Sequence, residues 1–223
     1  MIKFENVYYG GFKNVSFELN GGSVCKVLLR SNGDRAAFLS LLTGVNVPDS
    51  GKVFIAESDI GALPEKEKYK MLKSLAIASA ELTFISNLSI IENITLPVKY
   101  HQGVKLKEIE NRLVVFYEVL GLDKEGLRGY VLRLPSTLSS EEKQITALLR
   151  ALLNNCRIIV YDSVFAGLSV DLMKRMLTLT MDYHFRMPGR VSLYISTQEH
   201  TLKDIPDCTA FKQTDEGFVK WTS

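Results

Sequence analysis

Val24-Cys25-Lys26-Val27-Leu28-Leu29, then Arg30-Ser31-Asn32-Gly33-Asp34-Arg35, then Ala36 to Leu42 and Thr43-Gly44, decide the fold. The first run is apolar enough to be a strand buried on both faces, and the second is a polar loop. The third is an apolar helical stretch stopped by glycine. A strand, a loop and a helix in that order form a βα unit, which belongs to a parallel sheet. Upstream, residues 2–8 and 15–19 alternate as short strands around Gly10-Gly11, and Gly21-Gly22 leads into the buried run. Downstream, Pro48-Asp49-Ser50-Gly51 marks a turn.

Farther along, the period changes. Leu106, Ile109, Leu113, Phe116 and Leu120 recur at three and four, as do Ile145, Leu148, Leu149 and Leu152, so residues 81–152 read as mostly helical. Arg157-Ile158-Ile159-Val160-Tyr161-Asp162 then restores a buried strand. A helix comes next around Leu172, Met176 and Leu179, and Val191–Ser196 is another strand. The expected architecture is a single α/β domain over 1–223. Its core spans about 1–80 and 153–223, and a helical insertion spans about 81–152.

Composition narrows the function classes. At 223 residues with 46% hydrophobic and 23% charged side chains, the chain buries a sizeable core and is not disordered. Lys+Arg 27 against Asp+Glu 25 leaves a net charge of +2, too balanced for a nucleic-acid or lipid footprint, so no nucleic-acid partner is expected. Cys25, Cys156 and Cys208 are odd in number and lack metal-ligand spacing, which argues for a reducing, intracellular setting. No stretch has the length of a membrane span and no secretory leader is evident, so membrane contact is expected only through a partner.

Three segments, in order and spacing, resemble the nucleotide-binding subunit of ATP-binding cassette (ABC) transporters, over nearly the whole chain. Leu28–Gly44 resembles the Walker A strand, loop and helix of that P-loop fold. Leu138-Ser139-Ser140-Glu141-Glu142 with Gln144, Ala147 and Arg150-Ala151-Leu152 resembles the signature helix, and Ile158–Leu168 resembles Walker B with the segment after it. Two stretches, 88–97 and 161–167, look most like the lipid-transporting Mla branch. The resemblance implies an ABC ATPase core with N-terminal antiparallel strands and a helical subdomain. It also implies a dimer of such subunits, identical or mixed, and a membrane permease partner at the cytoplasmic face.

The residues depart from that family at the chemistry. A working loop needs glycines, a phosphate-binding Lys and a metal-ligating hydroxyl. Counting back from Thr43-Gly44 puts Asp34 at the final Gly, Arg35 at the Lys and Ala36 at the hydroxyl, with Ala37 next. Ser31, Asn32 and Gly33 complete the loop, and the alternative reading makes Asn32-Gly33 a plain βα turn without phosphate. Asp162 persists in Walker B, as a metal ligand or merely a strand-end cap, but Ser163 replaces the neighbouring catalytic carboxylate. Ser169 stands at the D-loop Asp, Ala80 at the Q-loop Gln, and Gln198 or Thr197 at the switch His. His101, His184 and His200 are expected on solvated surface.

In the signature, Ser140, Glu141 and Glu142 would present two carboxylates to a phosphate, whereas Ser139 with Glu142 fits a capping box. Tyr9 is either an adenine-stacking aromatic or, with Tyr8, a strand-end residue. Glu65–Lys70 reads as a solvated helix face. The resemblance implies ATP and Mg²⁺ as cofactors, held weakly here, and these losses point to no resident cofactor. The leading expectation is a pseudo-ATPase subunit of a transport complex, docking through Ala80–Pro97. A divergent active ATPase and a scaffolding module without a transporter are the alternatives.

Overall fold

The computed structural model describes residues 1–79, 81, 84–102, 106–206 and 208–221. Chain order begins with β1 (Ile2–Tyr9), β2 (Phe12–Leu19), β3 (Val24–Leu28), α1 (Asn32–Leu42), β4 (Ser50–Ile55), β5 (Ser58–Asp59), α2 (Glu65–Leu72) and β6 (Leu75–Ser79). It continues with α3 (Ile90–Gln102), α4 (Leu106–Val119), α5 (Lys124–Val131), α6 (Ser140–Leu153) and β7 (Ile158–Asp162). The remainder is α7 (Val170–Phe185), β8 (Val191–Ser196), β9 (Thr209–Thr214) and β10 (Gly217–Lys220). These elements form two compact units: Met1–Leu75 with Arg157–Ser163 and Met187–Ser223, and Ala76–Cys156 with Val164–Arg186.

The first unit holds two sheets. β2, β1, β4 and β5 run antiparallel in that order. In the other sheet the order is β10-β9-β3-β8-β7, parallel from β9 to β7. Every residue of β3, β7 and β8 is buried, as expected for parallel strands covered on both faces. Phe4, Phe17 and Phe218 pack around Phe38 of α1 with ring centroids 5.2–6.3 Å apart, so an aromatic cluster fixes α1 beneath the antiparallel sheet.

Among the described residues the second unit has helices as its regular elements apart from Ala76–Ser79 of β6. α6 starts in a full capping box, in which Ser139 Oγ accepts from Glu142 N while the Glu142 carboxylate accepts from Ser139 N. On α7, Met176, Leu179, Thr180, Tyr183 and His184 are buried, the i, i+3, i+4, i+7, i+8 stripe of a core-facing helix. His184 is therefore interior, contrary to the surface placement expected for it. His200 is exposed, and the side chain of His101 lies outside the described residues. α2 has no buried residue and is the solvated helix foreseen at Glu65–Lys70. Among the described residues no helix is long and apolar enough to cross a membrane.

Candidate nucleotide site

The loop after β3 is built by Ser31. Its extended backbone (φ −146°, ψ 162°) and its Oγ, which accepts from Asp34 N at 3.0 Å, cap α1. Asn32 and Gly33 consequently form the first helical turn and not a separate βα turn, and the helix begins four residues before the expected Ala36. The competition went to the cap because Ser31 satisfies a helix-end N–H that a turn would have left to water.

Asp34 and Arg35, the next two residues of that turn, are both buried. Ser31 Oγ donates to Asp34 Oδ2 at 2.7 Å, so a carboxylate already occupies the positive end of α1, where helix dipole and amides favour an anion. The other Asp34 oxygen lies over the β1–β2 turn, where a Cβ added to Gly11 would come within 2.0 Å of it. Arg35 Nη1 donates to Asp162 Oδ1 at 2.7 Å and Oδ2 at 2.6 Å, with the two side chains 5% and 1% exposed. A guanidinium thus covers the Asp162 carboxylate, donating to both of its oxygens. Asp162 is neither a bare strand-end cap nor an open ligand.

Ser163 has φ 51°, the left-handed region uncommon for residues other than glycine, and its N–H donates to Ile195 O at 2.9 Å. Ala36 and Ala37 bring no oxygen beyond the backbone. Thr197 is half-buried and Gln198 exposed, and Gln198 N donates to Ser196 Oγ at 3.0 Å. Tyr9 ends β1 as the cross-strand partner of Phe12, and Tyr8 is the more exposed of the two tyrosines. Ala80 lies outside the described residues. Among the described residues no group of three or more His, Cys, Asp or Glu could hold a metal.

Sequence reasoning missed Gln213. Its Oε1 accepts from Arg30 N at 3.1 Å and its Nε2 donates to Gly11 O at 3.1 Å, tying the loop to the hairpin tip. The only trace in the sequence is an amide in the middle of a strand, which has no meaning until pairing is known.

In the helical unit the signature-like residues are engaged internally. Glu142 takes the capping box and Arg133 Nη2 at 3.2 Å, and Glu141 Oε1 accepts from Ser169 N at 3.4 Å, where α7 begins. Ser140 is the first helical residue of α6, and Gln144 Nε2 donates to Ala166 O at 2.6 Å. Slight burial works to raise the Glu142 pKa, but the Arg133 and Ser139 hydrogen bonds overcome it and leave the carboxyl below its ordinary range.

These residues do not fit Mg-ATP. A triphosphate at α1 meets the Asp34 carboxylate, opposing it by about 4 kcal/mol per unit charge at 4 Å and an effective dielectric near 20. A metal at Asp162 meets Arg35.

The sequence matches the ABC transporter family over residues 12–166. Similar curated proteins include the methionine import ATP-binding protein MetN of Clostridioides difficile, 24% identical over 218 residues, covering 96% of this chain and 66% of the relative. MetN of Rhizobium meliloti is 28% identical over 201 residues, covering 90% and 54%. The phosphonates import ATP-binding protein PhnC of Fusobacterium nucleatum is 29% identical over 165 residues, covering 70% and 64%. The chain spans about half to two thirds of the length of these relatives. Among solved structures, the dimeric ATP-binding cassette MJ0796 bound to ADP and Pi superposes with a TM-score of 0.83 at 19% identity, covering 100% of both chains. The cbiO1 chain of Clostridium perfringens gives 0.76 at 16%, covering 98% of this chain and 86% of that one. The fold is thus that of an ABC cassette, the family match runs through more than half of the sequence, and the chain belongs to the ABC transporter family.

Proposed function

We propose that this chain is an ATP-binding-subunit homologue that has become a pseudo-ATPase, a structural or regulatory subunit of a membrane import complex. The buried Arg35–Asp162 pair carries the proposal. It joins the phosphate-binding and metal-binding positions to each other, so both charges are neutralised without nucleotide. Breaking such a pair leaves an uncompensated buried charge, which opposes any opening of the site to ligand.

Import is taken from the relatives' names, and the cytoplasmic location at a permease from the family resemblance. The docking region is the stretch Ala80–Pro97, of which residues 80, 82 and 83 lie outside the described residues. There Asn93 accepts from Ile85 N at 2.8 Å and donates to Ile85, Leu88 and Ser89 carbonyls. Arg150 stacks over Phe84 at 4.9 Å, and Ile85 and Leu96 are left exposed. The same resemblance supplies two subsidiary proposals: a homodimer or a heterodimer with another ABC subunit, and a lipid cargo of the Mla type.

Calorimetry with Mg-ATP and a turnover assay test the reading. The expected result is neither saturable micromolar binding nor hydrolysis above the buffer rate. Micromolar binding with turnover that Arg35→Ala abolishes establishes the divergent active ATPase instead. Affinity purification from native membranes is expected to bring down a permease, and its absence favours the scaffolding module. Lipid bound to that complex tests the cargo.

A further inference from the structure

In the helical unit, α4 and the C-terminal ends of α6 and α7 line a half-open pocket of about 290 Å³. It lies at the opposite end of α6 from the signature-like residues: from Ser140 to Leu152 the helix rises about 18 Å. Its chemistry is two-sided. Val115, Phe116, Leu152 and Tyr183 make an apolar floor, where the Phe116 and Tyr183 rings meet edge-on at 6.3 Å. The Tyr183 hydroxyl donates to Leu152 O at 2.7 Å.

Arg112, Arg186, Asn111 and Asn155 form the rim. Among the described residues Arg112 is engaged only by Glu108 of the preceding turn, and both side chains are partly exposed, an arrangement that holds a cation loosely. Among the described residues the Arg186 guanidinium has no ion-pair or hydrogen-bond partner. As the C-cap of α7 it favours the negative end of that helix, a role that leaves its five donors free.

We propose that this pocket binds a small organic monoanion: a carboxylate, gripped by Arg112 and Arg186, carried on an apolar body that covers Phe116 and Tyr183. Planar guanidinium forks suit a carboxylate, and a floor of aromatic and aliphatic side chains with a few convergent polar groups is the usual make-up of a ligand pocket. At about 290 Å³ the pocket stands at the small end of the usual range for ligand sites, so the body is small. The site is independent of the fate of the nucleotide loop, so neither proposal falls with the other.

Phenylacetate is the probe, titrated into the ¹⁵N-labelled full chain and monitored by amide shifts. The expected result is saturable change confined to residues 111–116, 152–155 and 183–186. Acetate and 2-phenylethanol, lacking the body or the charge, bind at least about tenfold more weakly. Arg112→Gln and Arg186→Gln each weaken phenylacetate about tenfold, and Val115→Glu removes binding while each variant keeps the wild-type spectrum elsewhere. Equal affinity for 2-phenylethanol, unsaturable or scattered shifts, or arginine variants that bind like the parent overturn the proposal. So does an Arg186→Gln that lowers thermal stability alone, because that assigns Arg186 to the helix end.

Discussion

Arg35 and Asp162 were each legible as single residues, one at the lysine position of a phosphate loop and the other at the end of a buried strand. Their pairing was not legible, because they stand 127 positions apart and the contact depends on β3, β8 and β7 lying side by side. The same holds for Asp34, whose sign suggested repulsion of phosphate but not its bond to Ser31 Oγ. Arg35→Met strands a carboxylate in the interior and is expected to cost about 3–5 kcal/mol in denaturant titration. The double change Arg35→Met with Asp162→Leu removes both charges, and most of that loss is expected to be recovered. A single variant as stable as wild type refutes the view that the pair is closed. His184 went the other way: usage placed it outside, and only the full stripe Met176, Leu179, Thr180, Tyr183 and His184 shows it facing the core.

Helix ends and strands are unequally legible. The capping box at Ser139 and Glu142 obeys a local S-x-x-E rule and stands in the structure. The hairpin β9–β10 left no comparable signal, since Lys212 and Gln213 interrupt its apolar run and its place beside β3 is set by pairing. The caps make acid stability an element-scale property. Glu92 is pushed below its ordinary pKa by hydrogen bonds from the Ser89 side chain and backbone, and Glu142 is lowered by its bonds to Arg133 and Ser139. A depressed folded pKa contributes stability above the unfolded value, 4.5, which is lost as pH falls through the folded one. Unfolding free energy is therefore expected to fall as pH drops below about 4.5, with Glu142→Gln flattening part of that decline. An unchanged acid limb in that variant contradicts the assignment. At neutral pH, Ser139→Ala is expected to cost about 1 kcal/mol by thermal denaturation.

The whole molecule keeps a cassette's framework while its loop is filled from within, so framework and chemistry are separable by substitution. A ligand at a hundred times its dissociation constant adds about 2.7 kcal/mol. In a domain of this size that raises Tm by about 5–10 °C. The wild-type chain is expected to shift by less than about 1 °C with Mg-ATP. The combination Asp34→Gly, Arg35→Lys, Ala36→Ser and Ser163→Glu is expected to regain several degrees, and a folded quadruple variant without any shift shows that the framework itself has closed. A last consequence lies in the hairpin tip, where the bare carbon of Gly11 sits under an oxygen of Asp34. A methyl group there acts as a wedge that evicts the acid from its berth, whereas shortening residue 34 first makes the wedge harmless. The two positions are thus bound as tenants of one space: a change at residue 11 alone pries the loop apart, whereas the same change beside a shortened residue 34 leaves it merely emptied.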